Sequence, residues 1–92
     1  MEGTLRVAAS EKVILSLLIQ EGPSYGLQLI NASKGQLKRG GIYVTLGRME
    51  EKGLVTSAPT SSGRRLYEPT TFGERALMAA RLFAGEIKIG VA

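Results

Sequence analysis

The 92-residue chain contains no cysteine, histidine, aspartate or tryptophan. Without cysteine there is neither a disulfide framework nor a thiolate metal site. Without histidine and aspartate, the usual general base, the usual zinc ligands and the Ser-His-Asp arrangement are all missing. Glutamate is the only carboxylate, eight copies in all, and no two form an obvious pair in an apolar setting. The composition therefore argues against an enzyme, and neither a cofactor nor a metal is expected. Long apolar runs are missing too. The longest block, "VILSLLI", is far short of the roughly 18 apolar residues of a membrane span. No signal-peptide pattern precedes it. The expectation is a cytoplasmic protein with no membrane association.

What is present is a basic third. Seven of the twelve cations fall between residues 34 and 65: Lys34, Lys38, Arg39, Arg48, Lys52, Arg64 and Arg65. Only Glu50 and Glu51 oppose them, so this segment carries +5 while the rest of the chain carries −1. A near-neutral body with one basic region points to a polyanion-binding face, although a solvated basic surface has the same composition.

Hydrophobic spacing gives the order of elements. Ser10 reads as the cap of a helix over about 11–21, with Glu11 in the first turn where the helix dipole favours a negative charge. That helix is apolar on nearly every side and must be covered on more than one face. Pro23 stops it, and Ser24 reads as the cap of a second helix running to about Ala32. In "GGIYVTLGRMEEKGLV", Ile42, Leu46 and Met49 recur at i, i+4 and i+7, which predicts a third helix over about 41–52. "LVTSAP", "TSSG" and "RRLYEP" then read as strand, turn and strand. A last helix follows, with Thr71 and Glu74 at capping-box spacing and Thr70 as a competing cap. Phe72, Ala76, Ala79, Ala80 and Phe83 form its first apolar stripe. Leu77, Met78 and Leu82 form an adjoining one.

Helix, helix, helix, hairpin, helix is the order of a winged helix-turn-helix domain: mainly α, with a small β-hairpin wing. The expected division is an N-terminal arm (1–9), the winged domain (10–70), and a C-terminal dimerisation helix with its tail (71–92).

Three stretches resemble the PadR family of transcriptional regulators. "ILSLLIQEGPSYGLQLI" is similar to the family's first two helices, "GGIYVTLGRMEEKGLV" to its recognition helix, and "GRRLYEPTTFG" to its wing strand and the entry to its last helix. Together they cover about residues 13–73. Leu27 stands where the family usually has an aromatic, Gly47 replaces a common basic residue, and only about twenty residues follow Thr71. The resemblance implies a homodimeric, sequence-specific DNA-binding regulator, a repressor, with the third helix in the major groove and the hairpin at 54–69 as wing. A small-molecule effector is left open. The alternative is a winged-helix module that binds an acidic protein partner.

On a helical wheel, Ile42, Leu46 and Met49 define the core side of the third helix. Gly40, Val44, Gly47, Arg48 and Glu51 then point outward. Glycine in a helix interior costs roughly 0.5–1 kcal/mol relative to alanine, so glycines on this face call for an explanation. Close approach of nucleic acid is one. Membership of Gly40 and Gly41 in the preceding turn is another. Lys38 and Arg39 sit beside free N–H groups that suit phosphate. Tyr43 lies on the flank, either packing inward or reaching a phosphate through its hydroxyl. Arg64 and Arg65 point to opposite faces if they share a strand, so one of them is expected to contact DNA. The expected DNA-binding set is Lys38, Arg39, Gly40, Gly41, Tyr43, Val44, Gly47, Arg48, Arg64 and Arg65. The expected dimer set is Leu77, Met78 and Leu82.

Overall fold

A computed structural model describes residues 6–84, with side chains as far as Leu82. The first five residues of the expected arm, the Phe83 side chain and the tail from residue 85 lie outside the described residues.

The first helix, α1 (Ala9–Glu21), begins earlier than Ser10 would have it. The Glu11 carboxylate accepts the Ala8 N–H at 2.9 Å, so Ala8 takes the cap position and Ser10 falls inside the helix. Ser24 does not cap the second helix either. It is buried, its hydroxyl donates to the Gly22 carbonyl at 2.8 Å, and with Tyr25 it forms a short strand, β1 (Ser24–Tyr25). Helix α2 (Gly26–Ala32) follows directly, with the Gln28 side chain accepting the Tyr25 N–H at 2.7 Å. The turn after α2 is held by Ser33, whose hydroxyl donates to Ile30 and accepts from the Leu37 N–H.

Helix α3 (Arg39–Glu51) and the strands β2 (Val55–Pro59) and β3 (Arg65–Pro69) come next. The sheet has three antiparallel strands in the order β1-β3-β2, with Tyr25 opposite Leu66 and Ser57 opposite Tyr67. The expected two-stranded hairpin thus gains an edge strand that ties the start of α2 to the wing.

Thirteen hydrophobic side chains from all four helices and the sheet make one buried core, centred on Ile14, Leu15, Leu18, Leu29, Leu46, Met49, Leu54 and Leu77. Full burial of one such side chain contributes roughly 1.5–3 kcal/mol. The stripe Ile42, Leu46 and Met49 lies inward as its spacing requires.

The rotation of the last helix, α4 (Thr71–Ala84), differs from expectation. Thr70, the competing cap, takes the role: its hydroxyl accepts the Gly73 N–H at 2.9 Å and donates to the Gly53 carbonyl at 2.6 Å. Gly73 lies so close to the Leu54 carbonyl that a Cβ there would overlap it. This contact fixes the phase of α4, turning residues 73, 76 and 77 inward and Phe72 out to 49% exposure. Leu77, expected on the dimer face, is only 2% exposed within one chain. Of that expected stripe only Met78 and Leu82 stand in solvent, at 64% and 47%.

Candidate nucleic-acid interface

The outer side of α3 is built by subtraction. With Ile42, Leu46 and Met49 turned to the core, Gly40, Gly41, Tyr43, Val44, Gly47 and Arg48 are all exposed. Because α3 begins at Arg39, Gly40 and Gly41 lie in its first turn and not before it. A Cβ added at Gly40, Gly41 or Gly47 would meet, beyond its own turn of helix, no atom of the described residues within 4 Å. Among the described residues no neighbour demands these glycines, which leaves the bare backbone exposed. No side chain caps α3: the Gly41 and Ile42 N–H groups donate to the Lys38 carbonyl at 3.2 and 3.1 Å, and exposed Lys38 and Arg39 flank this helix start.

The wing turn is stitched by Thr60, whose N–H and hydroxyl both donate to the Arg64 carbonyl, at 3.0 and 2.7 Å. Gly63, with φ of 87°, supplies the left-handed residue that closes the turn. The two wing arginines are held by different partners. The Arg64 guanidinium lies 5.4 Å from the centre of the Tyr25 ring, in cation–π range. Arg65 Nε donates to Ser57 Oγ at 2.9 Å, and Ser57 donates in turn to Glu50 at 2.7 Å, linking the wing to the far end of α3. Both arginines remain exposed.

One cation of the basic third is committed elsewhere. Lys52 Nζ reaches both Glu11 carboxylate oxygens at 2.9 Å and the Arg6 carbonyl at 3.1 Å. Glu11 is 3% exposed, so this pair locks α1 to the end of α3 and withdraws Lys52 from the surface charge. No sequence signal joins residues 41 positions apart.

Between α3 and the wing lies a cleft of about 340 Å³, lined by Tyr25, Gly26, Leu27, Tyr43, Arg64 and Tyr67 among others. Tyr43 is 52% exposed as a residue, and its ring rests against Gly26, where a Cβ would come within 2.7 Å of it. Tyr67 is 5% exposed. Burial pushes its pKa above the ordinary phenol value of 10.0; Glu50 and Tyr43 add to the rise and Arg65 opposes it. Tyr25, Gly26 and Tyr67 were absent from the sequence-derived set. The one sequence clue to them is that the chain has only three tyrosines, all of which line this cleft.

Four helices and a small three-stranded antiparallel sheet with a basic turn define a winged helix-turn-helix fold. The transcriptional regulator PadR-like family matches residues 14–79, and the chain belongs to that family. Its members are transcriptional regulators, not enzymes. Solved structures share the fold. The PcaV transcriptional regulator of Streptomyces coelicolor, solved with its natural ligand, superposes with a TM-score of 0.76 at 18% identity, over 86% of this chain and 56% of that one. A transcriptional regulator from Clostridium thermocellum gives 0.66 at 26% identity, over 88% of each chain. A PadR-like regulator from Bacillus cereus gives 0.60 at 23%, over 87% of this chain and 85% of that one. The chain spans just over half the length of PcaV. No curated protein matches it in sequence.

Proposed function

We propose that the chain acts as a homodimeric, sequence-specific DNA-binding repressor in the cytoplasm, with α3 in the major groove and the β2–β3 hairpin as wing. The observation that carries this reading is the glycine-lined outer side of α3, sterically open at Gly40, Gly41 and Gly47 and bordered by Lys38, Arg39 and Arg48. Val44 offers an apolar contact in the middle of that surface, and Arg64 and Arg65 extend it onto the wing. Residues 10–70 form the DNA-binding domain in this reading, and α4 adds the subunit contact.

The dimer rests on α1 and α4. Ile19, Met78 and Leu82 are 47%, 64% and 47% exposed, and a groove of about 310 Å³ runs between Ile19 and Met78. Pairing two copies here hides an apolar surface that a monomer would leave in water. A two-fold axis then spaces the recognition helices about one DNA turn apart, roughly 34 Å, and favours a palindromic site. A second cavity of about 350 Å³ between α1, α4 and the α2–α3 turn is the seat we assign to an effector. Its lining combines Val13, Leu17 and Leu77 with Lys12, Lys34 and an Arg81 that donates to Ser16, a set that favours an anionic one.

Selection of bound fragments from the source genome tests the reading. It expects a recurrent palindrome and binding that Arg48→Ala weakens. Sedimentation at micromolar concentration expects a dimer that Met78→Glu or Leu82→Glu dissociates. Capture of an acidic protein, with no duplex retained, would replace DNA as the partner.

A further inference from the structure

The tyrosine cleft has walls from both halves of the proposed reading surface. Tyr43 comes from the flank of α3, Arg64 from the wing, and the dipeptide Tyr25–Gly26 braces them from between. Gly26 leaves room for the Tyr43 ring, since a side chain there would meet its Cε1, Cζ and hydroxyl at 2.7–2.8 Å. Tyr25 lies under the Arg64 guanidinium. A helix in the major groove and a wing over the adjoining minor groove are separated by one sugar–phosphate strand. That strand has to cross the gap between α3 and the wing, where this cleft opens.

We propose that the cleft seats a backbone phosphate of the bound duplex, with the Tyr43 hydroxyl and the Arg64 guanidinium donating to it. Tyr25 and Gly26 are positioning residues, the first for Arg64 and the second for Tyr43. A phenol hydroxyl and an arginine are donors suited to a phosphodiester oxygen. At about 340 Å³ the cleft exceeds the needs of the phosphate alone and leaves room for its sugar. The inference rests on the DNA-binding reading, which already includes Tyr43 and Arg64, and adds their convergence on one phosphate with Tyr25 and Gly26 as supports.

The chain's three tyrosines and its lack of tryptophan make the site directly observable. In the full chain with ring-labelled tyrosine, nuclear magnetic resonance should follow three ring signals, assigned by Tyr→Phe variants. Adding a mixed-sequence duplex should shift the signals of Tyr25 and Tyr43. Inorganic phosphate at matched ionic strength should not. Tyr43→Phe should weaken duplex binding about 3- to 10-fold without changing the unfolding midpoint. Arg64→Gln should reduce the dependence of log K on log salt by about 0.9 per subunit. Gly26→Ala should weaken binding in the parent chain and have no further effect in a Tyr43→Ala background, an outcome that general destabilisation does not produce. Should Gly26→Ala fail to fold, the Tyr43→Phe affinity and the ring signals still decide. Duplex binding that leaves the rings unmoved and is indifferent to Tyr43→Phe and Arg64→Gln overturns this inference alone. A response to inorganic phosphate overturns the assignment to a duplex. Failure of the parent chain to bind any duplex overturns both the inference and the DNA reading.

Discussion

Replacing Lys52 by methionine should destabilise the fold far more than replacing its partner Glu11 by glutamine. The Glu11 carboxylate is 3% exposed and accepts three hydrogen bonds, two of them from Lys52. Lys52→Met leaves that carboxylate buried, with the Ala8 N–H as its remaining donor among the described residues. Removing one partner of a buried pair costs about 3–5 kcal/mol. Because the Lys52 side chain is itself 34% exposed, solvent screens part of the attraction, and the lower end, about 3 kcal/mol, applies. Glu11→Gln is milder for the same reason. The ammonium turns to water and keeps the Arg6 carbonyl, while the amide oxygen still accepts the Ala8 N–H. Its loss should be about 1 kcal/mol. A domain of this size has roughly 5–15 kcal/mol in all, so the two variants separate clearly in urea. In the Glu11→Gln background, Lys52→Met should lose most of its effect. Equal costs for the two single variants, or an undiminished Lys52→Met effect in the double, would refute the reasoning.

Two further outcomes follow from buried contacts. Gly73→Ala forces a Cβ onto the Leu54 carbonyl with Leu15 on its other side, and should cost about 3 kcal/mol by thermal or urea unfolding. Tyr67 should ionise at higher pH than an ordinary phenol, as read from phenolate absorbance and assigned with Tyr67→Phe. Its folded pKa lies above 10.0, so above that pH the unfolded chain releases a proton that the folded chain retains. Tyr67's contribution to stability is therefore intact below pH 10 and declines as pH rises through the folded pKa.

The sequence was most informative where a strong period met a clear stop. The stripe Ile42, Leu46 and Met49 located α3, and with it the outward position of Gly47 and Arg48. It was least informative where a tertiary contact decided. Two residues are too few to show strand alternation, so β1 reads as a helix cap until β3 is there to pair with it. Apolar spacing in α4 allowed two rotations. The close approach of Gly73 to Leu54, which no pattern encodes, selected the one that buries Leu77 and exposes Phe72. The charge count likewise includes Lys52 among the surface cations, because a pairing to Glu11 across 41 positions leaves no local mark.

The salt dependence of duplex binding tests the central claim most directly. Lys38, Arg39, Arg48, Arg64 and Arg65 are all exposed on the outer side of α3 and the wing, whereas Lys52 is paired. Each neutralised phosphate contributes about −0.9 to the slope of log K against log salt, so two half-sites predict a slope of about −6 or steeper. Arg48→Ala should make that slope shallower, and Lys52→Met should leave it where it was. A slope near zero, or one that Arg48→Ala and Arg64→Ala both fail to move, would contradict the account.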